Sequence, residues 1–424
     1  MKTKRPLLFQ SLASAVDQVL LSGLNFLIGI ALTRYASKET YGLYSQLFAA
    51  GLLTTVLLGA LIGTALTTLS VRLPPAERLI LVARAARIQW AASAVLAVIS
   101  GVGVSVLAAE LNFAENRVYL GLSFAAFVFA LGSRENCRSA LFIHLQSENV
   151  AKLDFIFVFV TLIGAAYLWL MGHITVASIL CVLAISNGIA AIFYSFSLVR
   201  SAGPSRGWRS YLTDFESLWS LSRWTLSGAI LGWFISNSYL YIAGGFLGIE
   251  ALADLNAARL PMIPIVIVAT AWSNVAFPAF GGMIASSNWD RLRRFVITSF
   301  LLLEGFVLVY IVIVQALWPW ISLEVLGEKY RHVSDLLVLW GCYFAANTGR
   351  NVLTMLLCSY GAYRDLFWQD VIAIPVLLIS CGVLMPWFGV KGALTGMIAL
   401  ELWRLVIYSI YLLPRAKKNQ LGSS

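Results

Sequence analysis

Residues 118–138 read VYLGLSFAAFVFALGSRENCR, and this stretch decides what kind of protein the chain is. The first sixteen residues carry no charge, whereas the last five include Arg134, Glu135 and Arg138. As a helix, the uncharged part rises about 24 Å, which is most of the hydrocarbon thickness of a bilayer. The stretch therefore predicts a membrane-spanning helix that ends in ionised side chains near one face of the membrane.

The composition of the whole chain extends this prediction. Of its 424 residues, 60% are apolar and 12% are charged, and the mean hydropathy is +0.83. A water-soluble domain of this length and composition would aggregate. The sequence predicts an all-α polytopic membrane protein with about twelve transmembrane helices. The predicted spans are 9–33, 44–69, 88–107, 118–146, 155–171, 175–199, 218–243, 252–277, 295–317, 336–358, 366–385 and 392–412.

The positive charges predict the orientation. Most of the 30 lysines and arginines fall on the side of the predicted membrane where the chain begins, and such residues accumulate on the cytoplasmic side. Both termini are therefore predicted to be cytoplasmic. The basic start, MKTKRPLLFQSLASAVD, leads into a long apolar run and is predicted to stay as the first helix. The net charge of +10 fits contact with anionic membrane lipids, and no nucleic acid is expected as a partner.

The second half of the chain repeats features of the first. Arg138, Leu141, Leu145 and Ser147 match Arg350, Leu353, Leu357 and Ser359 at one constant offset. Because six helices return the chain to its starting side, the two halves are predicted to be parallel six-helix lobes, 1–205 and 206–424. Such a duplication predicts a polar cavity between the lobes.

Four arginines are candidates for contact with a substrate. Arg138 and Arg350 occupy matching repeat positions, and together with Arg134 they are predicted to bind a diphosphate, since a guanidinium donates paired hydrogen bonds to phosphate. Arg259 stands beside Pro261 and Pro264, which predict a bend in its helix. Two other interpretations stay open: the arginines reach the lipid headgroups, or Glu135 neutralises Arg138 three residues away.

The first helix carries a stripe of small and polar residues. Gln18 and Asn25 belong to it and are predicted to bind the substrate, although such a stripe also suits helix packing. The acids predicted to couple transport to H⁺ or Na⁺ are Asp17, Glu135 and Glu304. Glu401 and Arg404, three residues apart, are predicted to neutralise each other.

Several classes of site have no signal in the sequence. We find no nucleotide-binding loop, no nucleophile with a matching base and no metal-spaced cluster. The five cysteines fall within predicted spans without a CxxC pair, so neither a disulfide nor a zinc site is indicated. The chain is predicted to be no enzyme, with no catalytic residues, no metal and no cofactor.

Two stretches resemble the Wzx-type polysaccharide flippase family of the multidrug, oligosaccharidyl-lipid and polysaccharide exporter (MOP) superfamily. Residues 18–51 read QVLLSGLNFLIGIALTRYASKETYGLYSQLFAAG, and residues 226–280 resemble that family's seventh and eighth helices. The features shared with the family are Asn25-Phe26, Arg34, Tyr41-Gly42, Gly248, Ala257, Pro264 and Pro278. The family often has an acid late in the seventh helix, where this chain has Ser238-Tyr239.

The resemblance implies a MATE/MOP-like flippase in the bacterial cytoplasmic (inner) membrane. Its substrate would be an undecaprenyl-diphosphate-linked oligosaccharide for O-antigen, capsule or exopolysaccharide assembly, and other polysaccharide assembly proteins would be partners. It also implies a cavity lined by helices one, two, seven and eight. A drug/cation antiporter of the same superfamily and a membrane polysaccharide polymerase or ligase are the alternatives. The pattern that major-facilitator transporters have between helices two and three is missing from residues 71–87.

Overall fold

A computed structural model describes residues 7–70, 73–110, 115–144, 146–201 and 208–421. These residues form helices joined by short connections, and no strand occurs among them. The α-helices are α1 (Leu7–Tyr35), α2 (Lys38–Leu58), α3 (Thr64–Ser70), α4 (Pro75–Glu110), α5 (Arg117–Ile143), α6 (Ser147–Met171), α7 (Val176–Ser201), α8 (Trp208–Leu247), α9 (Ile249–Arg259), α10 (Ile263–Ala285), α11 (Trp289–Trp320), α12 (Ser334–Ser359), α13 (Tyr363–Phe388), α14 (Val390–Ile407) and α15 (Leu413–Leu421).

Ten helical segments of the described chain are long and apolar enough to cross a membrane. They include the joined pairs α2–α3 and α9–α10, which each count as one segment. The helix α12 is not among the ten, and polar residues at 347–351 interrupt its second half. The described apolar part of α1, Val19–Tyr35, is shorter than the others. All-helical membrane architecture is therefore confirmed, whereas twelve spans and cytoplasmic termini stay predictions.

The chain divides into two compact units. The first unit contains Met1–Ile28 and Gln46–Trp233, and the second contains Gly29–Ser45 and Phe234–Ser424. Close backbone approach fixes residues 29–45 in the second unit, because a Cβ at Gly42 would stand 2.2 Å from the carbonyl oxygen of Ile249. The predicted six-helix lobes, 1–205 and 206–424, stay a prediction.

In the first unit, α5 packs along α4 and α7. Small residues allow the close contact with α4, since a Cβ on Gly121 would lie 2.5 Å from the carbonyl oxygen of Gly101. Phe124 and Phe127 of α5 are buried, and Phe127 stacks on Phe48 with a centroid separation of 6.1 Å. The charged second half of α5 thus belongs to a firmly packed helix.

In the second unit, α12 packs against α11 and α14 and also contacts α9 and α10. Its Trp340 is fully buried and donates a hydrogen bond of 2.9 Å to the carbonyl oxygen of Leu255 on α9. At the two prolines the α-helical pattern is interrupted, because α9 ends at Arg259 and a 3-10 turn, Leu260–Met262, leads into α10; the predicted bend stays a prediction. Tyr310 donates to the carbonyl oxygen of Pro261 at 2.8 Å and so satisfies a backbone group at the break.

Candidate functional site

Two arginines in the second half of α5, Arg134 and Arg138, share one carboxylate. Asp154, on α6, is fully buried. Its Oδ1 atom lies 3.0 Å from Arg134 Nε, and its Oδ2 atom lies 2.8 Å from Arg138 Nε. A buried carboxylate held between two guanidinium groups joins α5 to α6 and keeps both arginines out of lipid.

Further contacts complete this cluster, which we call the first-unit network. Both carboxylate oxygens of Glu135 accept from Arg138 Nη1, at 3.1 and 3.2 Å. Arg134 Nη1 donates to Asn187 Oδ1 on α7 at 2.9 Å, and its guanidinium lies 3.9 Å from the ring centroid of Phe157. With Asp154, the network contains two arginines and two carboxylates, so its formal charges balance.

The second unit contains a comparable cluster, the second-unit network. Arg350 on α12 pairs with Glu401 on α14, and its Nη1 atom donates to Thr354 at 3.2 Å. Arg404 pairs with Asp370 on α13, and its Nη1 atom lies 3.9 Å from Glu401 Oε1. Two arginines and two carboxylates again balance.

The networks show which partners sequence reasoning found. The predicted pairing of Glu135 with Arg138 is confirmed, and Arg404 does contact Glu401, although Arg404 approaches Asp370 more closely. Sequence reasoning missed the role of Asp154, which stands just before a predicted span and was counted outside the membrane. Diphosphate binding by Arg134, Arg138 and Arg350 stays a prediction.

Arg259 lies in a different environment within the second unit. As the last residue of α9, it benefits from the negative end of the helix dipole. Its Nη1 atom donates to the hydroxyl oxygen of Tyr239 at 3.0 Å, and its guanidinium carbon lies 5.6 Å from the ring centroid of Trp340. Tyr41 and Tyr343 are its other electrostatic neighbours.

No carboxylate of the described residues forms an ion pair with Arg259. Tyr239 occupies the place where the resembling family often has an acid, and its hydroxyl accepts from Arg259 without adding a negative charge. Arg259 therefore retains its positive charge uncompensated by neighbouring side chains in the described chain, and it is surrounded by aromatic residues that offer hydroxyl groups.

The remaining candidates have distinct surroundings. Asn25 is exposed on α1, whereas the side chains of Asp17 and Gln18 fall outside the described part of the structure. Glu135 is ion-paired in the first-unit network. Glu304 is partly buried on α11, and its buried Oε1 atom faces the backbone of Gly349 with no side-chain partner among the described residues.

A polar cluster lies where α2 begins. Lys38 Nζ donates to Asp254 Oδ1 at 2.7 Å, and the ring of His332 lies 3.1 Å from Oδ2 of the same carboxylate. Lys329 donates to the carbonyl oxygen of Ala36. Burial lowers the pKa of Lys329, and the nearby charge of Lys38 lowers it further. The two lysines are engaged in contacts within the second unit.

Three solved structures are similar to the chain. The inward-facing conformation of a multidrug resistance MATE family transporter of the MOP superfamily matches at 15% identity and a TM-score of 0.69, with 96% of each chain covered. MATE in complex with MaD3S matches at 13% identity and a TM-score of 0.62, covering 96% of this chain and 95% of the other. A MOP superfamily transporter from Pyrococcus furiosus, whose reverse polarity of binding pocket suggests a different function, matches at 14% identity and a TM-score of 0.63, covering 96% and 94%.

These similarities show the fold. No protein-family model matches the chain, and no curated protein matches it. The chain has the MATE/MOP transporter fold, and the ten apolar helical segments among its described residues make it a multi-pass membrane protein. Two of these three similar proteins are described as transporters.

Proposed function

We propose that this protein is a flippase that moves an undecaprenyl-diphosphate-linked oligosaccharide across the bacterial inner membrane by alternating access. The observation that carries the proposal is Arg259, a partly buried cation with aromatic neighbours and no carboxylate partner among the described residues. Its environment suits an anionic headgroup. The fold supports a membrane transporter, and the resemblance of residues 18–51 and 226–280 to polysaccharide flippases favours this substrate class.

The chemistry of Arg259 matches a diphosphate. A guanidinium stays protonated at every working pH and donates two parallel hydrogen bonds to phosphate oxygens. Away from bulk water, such an interaction is stronger than on a wet surface. The hydroxyl groups of Tyr239 and Tyr343 and the indole of Trp340 are suited to neighbouring sugar rings. In the proposed mechanism, the polyprenyl tail remains in the lipid while the headgroup crosses.

The arginines of the first-unit and second-unit networks are less accessible to a diphosphate than Arg259, because carboxylates already pair with them. A diphosphate would have to displace Asp154 or Glu401 to reach Arg134, Arg138 or Arg350. Arg259 requires no such exchange. We therefore assign the first contact with the diphosphate to Arg259. The sequence-based prediction for Arg350 is tested by the double variant described in the Discussion, and diphosphate binding by Arg134 and Arg138 stays a prediction.

Substitution of Arg259 tests the proposal in cells. In a strain that lacks the gene, Arg259→Ala is expected to reduce surface polysaccharide by about tenfold or more at normal protein levels, because a charge-assisted contact is lost. Arg259→Lys is expected to retain part of the activity, since it keeps the charge and loses the planar fork. Arg331→Ala removes an exposed arginine of the same unit and is the control.

The location of the accumulating lipid separates flippase from polymerase. Cells with Arg259→Ala are expected to accumulate lipid-linked repeat units in the inner leaflet, whereas loss of a polymerase or ligase leaves them in the outer leaflet. Full surface polysaccharide with Arg259→Ala would overturn the assignment of Arg259 as the diphosphate contact. Accumulation in the outer leaflet would overturn the flippase itself.

A second candidate function is a drug/cation antiporter. Glu304 favours it, because its Oε1 atom is buried without a side-chain partner, and an acid of this kind suits binding of a cation. The MATE family transporter of similar structure is described as a multidrug resistance protein. This function predicts that deletion of the gene raises sensitivity to cationic drugs and leaves surface polysaccharide unchanged.

A further inference from the structure

The first unit contains an open cavity whose described lining includes no residue of the first-unit network. Its volume is 640 Å³, within the range of about 300 to 1,000 Å³ that is usual for small-molecule sites. Two segments form this cavity. One is the π-helical turn Gly59–Gly63, which joins α2 to α3, together with the start of α3, and the other is the end of α5. The lining residues are Gly59, Gly63, Thr64, Thr67, Ser139, Phe142 and Ile143.

The two glycines of the turn face open space. A Cβ built on Gly59 or on Gly63 would have no atom within 4 Å. By contrast, a Cβ on Gly51, eight residues before Gly59 in α2, would lie 2.4 Å from the ring of Phe127. Close packing against Phe127 therefore explains the glycine at position 51, but it does not explain Gly59 or Gly63. These two glycines leave the backbone of the turn accessible from the cavity. A π-helical turn of this kind is frequently found at functional sites.

The lining of the cavity is polar but uncharged. Thr64, Thr67 and Ser139 contribute hydroxyl groups, and Thr67 Oγ1 donates to the carbonyl oxygen of Gly63 at 2.8 Å, so its lone pairs are available to accept. Phe142 contributes an aromatic ring that is 37% exposed. No acidic or basic residue is among the lining residues that the structure describes. The surface thus combines hydroxyl groups with one aromatic face.

This lining selects among the parts of the proposed substrate. An organic cation would require a carboxylate and a diphosphate would require a cation. A polyprenyl tail offers no donor to the acceptor lone pairs of the threonine hydroxyl groups, whose protons already go to backbone carbonyls. The hydroxyl groups of a sugar ring can form hydrogen bonds with the hydroxyl groups of the cavity. The C–H face of the same ring can pack on the aromatic ring of Phe142. We infer that the cavity receives a sugar unit of the lipid-linked oligosaccharide, an assignment that rests on the proposed function.

The first-unit network supports one wall of the cavity. Ser139 follows Arg138 directly, and the guanidinium of Arg138 lies 5.9 Å from the ring centroid of Phe142. Asp154 and Glu135 hold Arg138 in place, and the guanidinium of Arg138 supports the ring of Phe142. The charged cluster thereby positions the sugar-binding surface without lining it.

Filling the cavity tests the inference. Gly63→Leu places a side chain in open space, so the helix is expected to fold while the cavity is blocked. Gly103→Leu is the matched control, because Gly103 lies on α4 of the same unit and a Cβ there also has no atom within 4 Å. Thr67→Val is a second variant that preserves shape and removes one hydroxyl group.

The measurement is the affinity of the purified full-length protein for two lipids: undecaprenyl diphosphate alone, and the lipid-linked oligosaccharide extracted from cells that lack the gene. Gly63→Leu is expected to weaken binding of the oligosaccharide lipid by about tenfold or more and to leave binding of undecaprenyl diphosphate unchanged. Thr67→Val is expected to produce a smaller loss of the same kind, and Gly103→Leu none.

The outcomes separate this inference from the proposed function. If the wild-type protein binds both lipids and Gly63→Leu weakens neither, or weakens both equally, the sugar site is overturned while the proposed function stands. If the wild-type protein binds neither lipid, the proposed function fails, and the inference fails with it. A loss confined to the oligosaccharide lipid supports the sugar site.

Discussion

At the scale of single residues, the arginines within the helices differ in their partners. Arg134, Arg138, Arg350 and Arg404 each contact a carboxylate, whereas Arg259 contacts a tyrosine hydroxyl and aromatic rings. Since an ion pair already satisfies most of the donors of a guanidinium, a new anion gains little there. The uncompensated charge of Arg259 makes it the residue that an anionic headgroup would stabilise most.

The hydroxyl group of Tyr239 is expected to hold the guanidinium of Arg259 in place. Tyr239→Phe removes the acceptor at 3.0 Å and leaves the buried ring. We expect the affinity for undecaprenyl diphosphate to fall by about threefold to tenfold, because the guanidinium loses one of its orienting bonds. Tyr363→Phe changes an exposed tyrosine of the second unit and is the control. Equal affinities for wild type and Tyr239→Phe would remove this positioning role.

Glu304 is expected to couple transport to an ion. Of the three predicted coupling acids, Glu135 is ion-paired and the side chain of Asp17 is not described, whereas Glu304 has no side-chain partner among the described residues. Glu304→Gln should retain binding of the lipid and reduce transport into the outer leaflet by about tenfold or more, because the amide exchanges neither H⁺ nor Na⁺. Unchanged transport by Glu304→Gln, with the exposed Glu324→Gln as control, would assign coupling elsewhere.

At the scale of helices, the two networks occupy matching positions of the repeat. In each unit, an arginine lies on one helix, an aspartate on the next and a polar residue on the third. The corresponding pairs are Arg138 and Arg350, Asp154 and Asp370, and Asn187 and Glu401. The sequence indicated the arginine pair, because both follow long uncharged runs. The partners could not be predicted, since contact across three helices depends on packing that a one-dimensional pattern does not contain.

Loss of the shared carboxylate should destabilise the first unit. Asp154→Asn leaves two guanidinium groups without their common partner, and we expect the free energy of unfolding to fall by about 3 to 5 kcal/mol. Thermal unfolding in detergent measures this as a lower midpoint. Glu148→Gln breaks the exposed pair with Lys152 and is expected to cost less than about 1 kcal/mol. Similar midpoints for the two variants would contradict a stabilising role of Asp154.

A double variant separates the two roles of Arg350. Because Glu401 neutralises Arg350, we expect Arg350→Gln alone to lower protein level and transport, and Arg350→Gln combined with Glu401→Gln to restore both by removing the unpaired charge. Surface polysaccharide and membrane protein level are the two measurements. A double variant that folds at normal levels and stays inactive would show that the arginine itself is required, as diphosphate binding predicts.

At the scale of the whole molecule, hydropathy predicted the fold class. The apolar runs became ten segments able to span a membrane, and the prolines near Arg259 did mark a break between α9 and α10. The division into units at Gly29 and Gln46 was not predictable. Sequence repeats mark where a duplication begins, but close approach at Gly42 decides which unit the neighbouring residues pack with.

The most direct measurement of the central claim compares two lipids that differ only in the headgroup, undecaprenyl diphosphate and undecaprenol, on purified wild-type protein and on Arg259→Gln. The wild type should bind the diphosphate lipid more tightly by about tenfold or more, and Arg259→Gln should bind the two lipids equally. A preference for the diphosphate that survives in Arg259→Gln, or equal binding by the wild type, would contradict the claim that Arg259 receives a diphosphate.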